Sequence, residues 1–449
     1  MGKGLARTQF AAVAERLTTG RHAGQRSYSV PGSPFTNGQI THMSSRHTHL
    51  LPDAWSQRSG DAILLLAAAV TPMLVNPWGC NPFERPKAAL VQALALLALP
   101  LLLLRGLDAW TRSRGRVPLR SVSLLAWAAL ALGLAQAAAT TLSVDPRTSL
   151  WGAADRQQGL VTLLSYLALF ALAAGMDARR RVERLMRAVA WGSAPVVAYG
   201  LLQALGVDPL GWRTDAASPV LSTLGRSNFV GTYLVLALPA TVACARLARR
   251  RWPYLALCVA QVLCLLLTRA RSAWLGAAVC LAAMGALWAV LSAHKLPMTA
   301  EGASRWRKLL PARWPRRLGW GLAALLGAAV LLLVVGAGPL RALLRAGAGS
   351  AAARWTIWRA TWPLVSAHPW LGYGPETFKA AFLRVFPPQL VYYQGRQVVV
   401  DRAHDVWLDL AMSAGGLGVA AWLAALVGFG RLAVRALRGQ ADRWQRAVW

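Results

Sequence analysis

From residue 61 onward the chain is built of long continuous apolar runs broken by polar connections. Ten runs fall at 61–76, 88–104, 121–142, 159–175, 185–206, 227–245, 252–268, 272–293, 318–338 and 404–430. Most approach the twenty or so residues that a helix needs to cross a hydrocarbon core of about 30 Å. They do not alternate, so they predict helices rather than barrel strands. One connection, 339–403, is far longer than an ordinary link between helices. The pattern predicts an all-α polytopic membrane protein of about ten transmembrane helices with one large extracytoplasmic loop. Its order is a polar, basic, disordered cytoplasmic tail (1–60), a bundle of nine spans (61–338), the loop (339–403), and a last span with a basic tail (404–449).

Composition agrees. The chain is 56% hydrophobic and only 15% charged, where a soluble domain carries nearer a quarter. A formal net charge of +32 would point to nucleic acid in a soluble protein, but the placement of charge argues against that. Dense clusters at Arg105 to Arg120, Arg179 to Arg187, Arg249 to Arg251, Lys295 to Arg317 and Arg431 to Arg446 occupy every second connection. Excess Lys and Arg on short loops marks the cytoplasmic face. Both termini are therefore expected inside, no nucleic-acid partner is expected, and the surplus charge faces anionic membrane lipids. Cys80 stands alone outside the spans, so no intrachain disulfide is expected there. The tail lacks the apolar core of a signal peptide, and its His42, His47 and His49 read as part of a disordered segment rather than a metal site.

Ionisable residues are scarce within the spans; Asp61 lies at a span edge and Asp409 little more than a turn into the last one. That scarcity counts against a transporter, which buries the groups that bind or relay its coupled species. The long loop carries eight Lys and Arg against few acids, which fits an anionic partner and a solvated loop equally. Within it, Trp355, Trp358 and Trp362 recur at helical spacing, as a helix in the membrane interface or one packed on the bundle. Gly372 and Gly374 in "HPWLGYGPETF" fit a tight turn better than a backbone anion nest.

Four arginines stand at the heads of spans: Arg156, Arg226, Arg269 and Arg271. Arginine opposes the dipole there. The four are either interfacial anchors or a convergent clamp for phosphate oxygens, which suit guanidinium forks. His404 heads the last run in "DRAHDVWLDLAMSAGG", with Asp401, Asp405 and Asp409 around it. An imidazole near neutrality can take a proton from a sugar hydroxyl while a carboxylate orients it. Alternatively, Asp401 and Asp405 simply suit a helix N-terminus.

Together "FERPK", "LSVDPRTSLWGAADRQQGL", "LGRSNFVGTYL", "TRARSAW", "HPWLGYGPETF" and "AHDVWLDLAMSAGGLG" give the chain a familiar order of motifs. From about Asn76 onward it resembles the O-antigen ligase family, which includes Wzy-type O-antigen polymerases. The resemblance implies a fold like the lipid-linked-sugar glycosyltransferases (GT-C) and a site on the outer face of the bacterial plasma membrane. It implies transfer of a glycan from a polyprenyl pyrophosphate carrier to the hydroxyl of a glycan or lipid-linked sugar acceptor. His404 matches the family's proposed base. Arg226 and Arg271, with Arg269 nearby, match its pyrophosphate-binding arginines, and Arg156 matches more weakly. Asp405 stands where the family often has Asn, and either raises the histidine's pKa or caps the helix. Family members also commonly continue with further spans. No DxD or metal-ligand cluster is present, so metal-free transfer with inversion and no cofactor is expected. The other readings are a transporter or flippase of lipid-linked glycans, and a glycan polymerase of the cell-shape type using Asp401 or Glu376.

Overall fold

The computed structural model describes residues 53–113, 122–175, 179–212, 218, 220–293, 337–395 and 399–437. Among them the chain is helix and loop without a strand. The helices are α1 (Asp53–Val70), α2 (Glu84–Arg112), α3 (Leu124–Thr141), α4 (Pro146–Trp151), α5 (Leu160–Ala174), α6 (Arg179–Ala204), α7 (Ser227–Leu247), α8 (Trp252–Leu267), α9 (Arg271–Ala293), α10 (Ala337–Ala367), α11 (Phe378–Phe382), α12 (Gln389–Gln394) and α13 (Val406–Leu437). Each of the first eight apolar runs, and the tenth, falls on a helix. The run at 318–338, apart from its last two residues, and the tail through residue 52 lie outside the described residues. Five helices, α2, α3, α6, α7 and α13, are long and apolar enough to cross a membrane; α5, α8 and Arg271–Gly285 of α9 are apolar but shorter.

Long-range polar contacts define two ends of the bundle. At one, Arg181 at the start of α6 pairs with the buried Asp61 of α1 at 2.6 Å, and Arg105 late in α2 donates to Ser56 Oγ at 2.9 Å. At the other, Lys87 at the start of α2 reaches Thr223 ahead of α7, and Ser143, just past α3, donates to the Tyr373 carbonyl at 3.0 Å. Asp61 is thus a neutralised structural group, as burial of a carboxylate requires.

The long connection is not a solvated loop. Ala353, Ile357 and Leu364 of α10 pack with Phe378, Phe382, Leu390 and Met412 into one buried core, which seats 353–390 against α13. The tryptophan stripe divides. Trp358 turns inward and donates from Nε1 to the Ala403 carbonyl at 2.8 Å, while Trp355 and Trp362 are exposed.

The tenth run differs from the continuous span that its apolarity predicts. Gly415 has φ 61° and ψ −160° and breaks α13, a conformation open essentially to glycine alone. The break releases backbone groups, and the segment after α10 takes them up. Tyr373 N–H donates to the Met412 carbonyl at 2.7 Å, Gly416 N–H to Pro369 O at 2.7 Å, and Leu417 N–H to Trp370 O at 3.3 Å. The approach is so close that a Cβ on Gly415 would lie 2.2 Å from the Trp370 carbonyl carbon. Gly372 and Gly374 likewise serve close approach, against Met412 O and the hydroxyls of Ser143 and Ser149.

Gly415→Ala is therefore expected to lose roughly 1–3 kcal/mol of stability to backbone strain and to clash as well. Gly430→Ala, where nothing lies within 4 Å, should stay within about 1 kcal/mol of wild type. Thermal unfolding of the detergent-purified protein checks the pair; equal melting temperatures would refute the role assigned to the break.

Candidate functional site

His404 is set by the residues on either side of it. Ala403 is fully buried, and both its backbone groups are held: Asp409 Oδ1 accepts its N–H at 2.8 Å, and Trp358 binds its carbonyl. Next, Asp405 Oδ1 accepts the N–H groups of Trp407 and Leu408, each at 3.0 Å. That is an N-cap satisfying two of the donors a helix start leaves free. Squeezed between a clamped residue and a cap, His404 takes a left-handed φ of 57°, uncommon for a side-chain-bearing residue though less so for histidine. Its ring emerges at the surface.

Four charged side chains act on that ring. Burial of its inner side pushes the imidazole pKa below the usual value; Asp401 pulls it back up, and Arg354, Arg156 and Arg226 push it down. The net result favours the neutral imidazole.

The cations arrive from separate segments. Arg156 sits in the coil between α4 and α5, which Arg85 holds from α2 through Ala154 O at 2.7 Å and Asn81 through Asp155 O. Its guanidinium pairs with Asp401. Burial works against that charge, but Asp401 and Glu84 more than offset it and raise the pKa. Arg402 pairs with Glu376. Arg226 is the N-cap residue of α7 and stands 5.7 Å from the centre of the Phe229 ring. Neither Arg226 nor Arg354 forms an ion pair with a carboxylate among the described residues.

Arg269 and Arg271 occupy the α8–α9 hairpin, Arg269 with φ 54°. Their helix lies directly on the one that Arg226 heads: a Cβ on Gly231 would sit 2.4 Å from Ala273 Cβ and 3.4 Å from Ala270 Cβ. Gly231 is five residues from Arg226, about 7–8 Å along a helix axis. The hairpin arginines thus share the Arg226 end of the bundle. His404, Asp401, Arg156 and Arg226 converge directly, the hairpin pair stands one helix farther, and Asp405 is turned into its own helix as a cap.

Lys87 belongs to the site's framework although its sequence gave it no role beyond the "FERPK" pattern. Its Nζ donates to the carbonyls of Leu74, Phe83 and Thr223 at 2.8, 2.9 and 2.7 Å. Those contacts fix the turn leading to Arg226, where Gly225 (φ 75°) lets the backbone press on the Phe83 ring. A lysine at the head of an apolar run, unaccompanied by a basic cluster, was the available signal.

Beside His404 a cavity of about 540 Å³ opens, walled by Glu84, Arg156, Glu376, Asp401, Arg402 and Asp409 at its polar end. Gln136 and Ser413 lie farther in, and Leu132, Leu163 and Trp422 complete the apolar wall. Among the described residues no three His, Cys, Asp or Glu side chains gather as metal ligands would.

A chain whose described residues are helix and loop, with five helices long and apolar enough to cross a membrane, is a multi-pass membrane protein. Residues 236–423 match the family model described as O-antigen ligase, so this part of the chain is similar to that family. The matched stretch holds Arg269, Arg271 and His404 and leaves Arg156 and Arg226 outside. No curated protein matches the chain.

The cap reading of Asp405 has a direct test. Asp405→Asn keeps a capping oxygen and should keep stability and function. Asp405→Ala should cost about 1 kcal/mol, read as a lower melting temperature, without displacing the pH profile. A pH profile displaced by Asp405→Asn would instead make this carboxylate a partner of the imidazole.

Proposed function

We propose that the protein transfers a glycan from a polyprenyl pyrophosphate carrier to an acceptor sugar hydroxyl, at the outer face of a bacterial plasma membrane. In this reading the chain crosses the membrane about ten times in a GT-C-like bundle. The Arg181 end and both termini face the cytoplasm, where the basic connections belong. The observation that carries the reading is a histidine on left-handed backbone, with arginines from three other segments near enough for their charge to favour its neutral form.

His404 removes the proton from the acceptor hydroxyl as that oxygen attacks the anomeric carbon of the donor glycan. The new glycosidic C–O bond forms as the bond from that carbon to pyrophosphate breaks, with inversion. Polyprenyl pyrophosphate leaves with the bonding electron pair, and the imidazolium returns its proton to water. Charge growing on the leaving group is met by Arg226 with Arg271 and Arg269, preorganised at helix heads. Arg226 is suited to this because it forms no ion pair with a carboxylate among the described residues. Arg156, already committed to Asp401, acts as a wall that orients the His404 segment and adds field to the clamp. Ligase and polymerase share this step and differ only in which molecule carries the hydroxyl. A transporter reading is less well supported: the buried Asp61–Arg181 pair lies at the opposite end and the strained histidine would have no task.

The test is transfer from a polyprenyl-pyrophosphate donor in membranes, with folding followed separately. His404→Asn tolerates the left-handed backbone and should lose about 10²–10⁴-fold in rate, the worth of a general base. Arg226→Ala should lose roughly 10²–10³-fold. EDTA should leave the wild type unaffected. Near-normal transfer by His404→Asn would sink the base assignment.

The pH dependence follows from the charges. The base works as neutral imidazole, so transfer is retained above the folded pKa and falls as pH drops through it. Because burial lowers that pKa, the acid limb should lie below the usual imidazole range. Arg354→Gln removes a charge that disfavours imidazolium, so its limb should move to higher pH; Asp401→Asn should move it lower. The opposite pair of displacements would contradict the assignment of the limb to His404.

A further inference from the structure

The cavity beside His404 has a charge and hydrogen-bonding character that a pyrophosphate does not satisfy. Four carboxylates line it, Glu84, Glu376, Asp401 and Asp409, against two guanidinium groups, Arg156 and Arg402. Both cations are already engaged, Arg156 with Asp401 and Arg402 with Glu376. An anionic group entering here meets acceptor oxygens with no free cation among the lining residues to offset them.

Two further atoms specify what does fit. Gln136 and Arg156 are only 8% and 9% exposed, both line the cavity, and Gln136 Oε1 and Arg156 Nε have no hydrogen-bond partner. Leaving a buried polar atom unpaired costs on the order of 1–3 kcal/mol, and both atoms are closed to water, so each gains a partner when its side chain turns toward a ligand group in the cavity. Gln136 contacts Ser413 through its other amide atom at 3.3 Å, and the Ser413 hydroxyl is spent on Leu410 O. One atom asks for a donor and the other for an acceptor. A deprotonated pyrophosphate diester only accepts and cannot serve Gln136 Oε1. A sugar hydroxyl donates and accepts at once and serves both. Carboxylates are strong acceptors for hydroxyl groups, and Leu132, Leu163 and Trp422 in the same wall add apolar surface for the C–H side of a sugar. The volume is of the order of other small-molecule sites, about 300–1,000 Å³.

The geometry points to this cavity as a subsite for a neutral or amino-bearing sugar ring, held by Gln136, Arg156 and the surrounding carboxylates. The pyrophosphate lies outside it, on the side of Arg226. The inference rests on the glycan-transfer reading for the origin of the sugar, which is either the donor's first residue or the acceptor's terminal one.

The experiment uses the full-length protein purified in detergent and compares wild type with Gln136→Leu and, as a milder change, Ser413→Ala. Three probes are tested for thermal stabilisation: the oligosaccharide freed by mild acid from the lipid-linked donor, the acceptor glycan, and inorganic pyrophosphate. One of the two glycans should stabilise wild type, and its apparent affinity should fall roughly five- to tenfold in Gln136→Leu and less in Ser413→Ala. The affected glycan identifies the sugar's source. Stabilisation by pyrophosphate should be equal in all three proteins and weaken only in Arg226→Ala. If Gln136→Leu weakens pyrophosphate and spares both glycans, or changes none of the three, the inference is wrong. Because binding is read without turnover, glycan binding in a wild type that transfers nothing would leave the subsite standing and remove the transfer reading instead.

Discussion

The structure turns on a bilayer's intolerance of unpaired backbone groups. An apolar helix that breaks in mid-course strands carbonyls and amides, each expensive where water is scarce. Here α13 breaks at Gly415, and the carbonyl of Met412 and the amides of Gly416 and Leu417 are taken up by Tyr373, Pro369 and Trp370. The seam is therefore a mutual requirement. Without the break, the segment 369–373 has nothing to bind; without the segment, the break is untenable. From the seam outward, positions follow in sequence. Tyr373 O receives Ser143 Oγ, the adjacent Pro375 carbonyl receives Ser149 Oγ at 3.0 Å, and Glu376 then stands where it meets Arg402. One helix break thereby ties the loop to α3, α4 and the chain just ahead of His404.

Charge is divided at this end between groups that hold structure and groups left for a ligand. Arg156 and Arg402 hold Asp401 and Glu376, so the two pairs brace the approach to α13 from the α4–α5 coil on one side and from the loop on the other. Such pairs do not add much stability in themselves once desolvation is counted. Their use is positional: each joins segments far apart in the chain. Arg226 and Arg354 stand outside this arrangement and still bear on His404. In the proposed reading, the paired cations of the cavity wall leave the cavity to hydroxyl groups, while Arg226, without an ion pair among the described residues, is left for phosphate.

Much of the fold could be read from the sequence because hydrophobic length is a strong and local signal: α2, α3, α6, α7 and α13 coincide with apolar runs. The junction at His404 was also legible, since a polar segment yields there to an apolar one and Asp405 is a good cap wherever it falls. The break at Gly415 was not. Glycine is common in membrane helices, and the partners that make a break affordable lie more than forty residues earlier, at 369–373. The same applies to Arg156 and Asp401, 245 positions apart, and to Lys87, whose three carbonyl partners leave no side-chain signature. The Trp355, Trp358 and Trp362 pattern announced a helix correctly but not which ring turns in, because that depends on a carbonyl at Ala403. Patterns within one helix are local; the site is assembled from contacts between helices.

Backbone strain shows the same division. Among the described residues the non-glycine positions with left-handed φ are Gln157, Ser222, Arg269, Glu376 and His404. All belong to the segments that form the Arg156 end: beside Arg156, ahead of Arg226, in the hairpin, on the cavity wall and at the head of α13. Each costs on the order of 1–3 kcal/mol and persists only when its surroundings leave no alternative. The surroundings here can be named for His404, between a clamped Ala403 and the Asp405 cap, and for Ser222, whose amide and that of Leu221 are both bound by Gln203 Oε1. A framework that tolerates such strain at one end fixes its polar groups before any substrate arrives. Fixed dipoles and charges are what stabilise a developing leaving-group charge without reorganisation. The same rigidity that makes these residues costly to fold is what, under the proposed function, would suit them to act on a phosphate and a sugar held side by side.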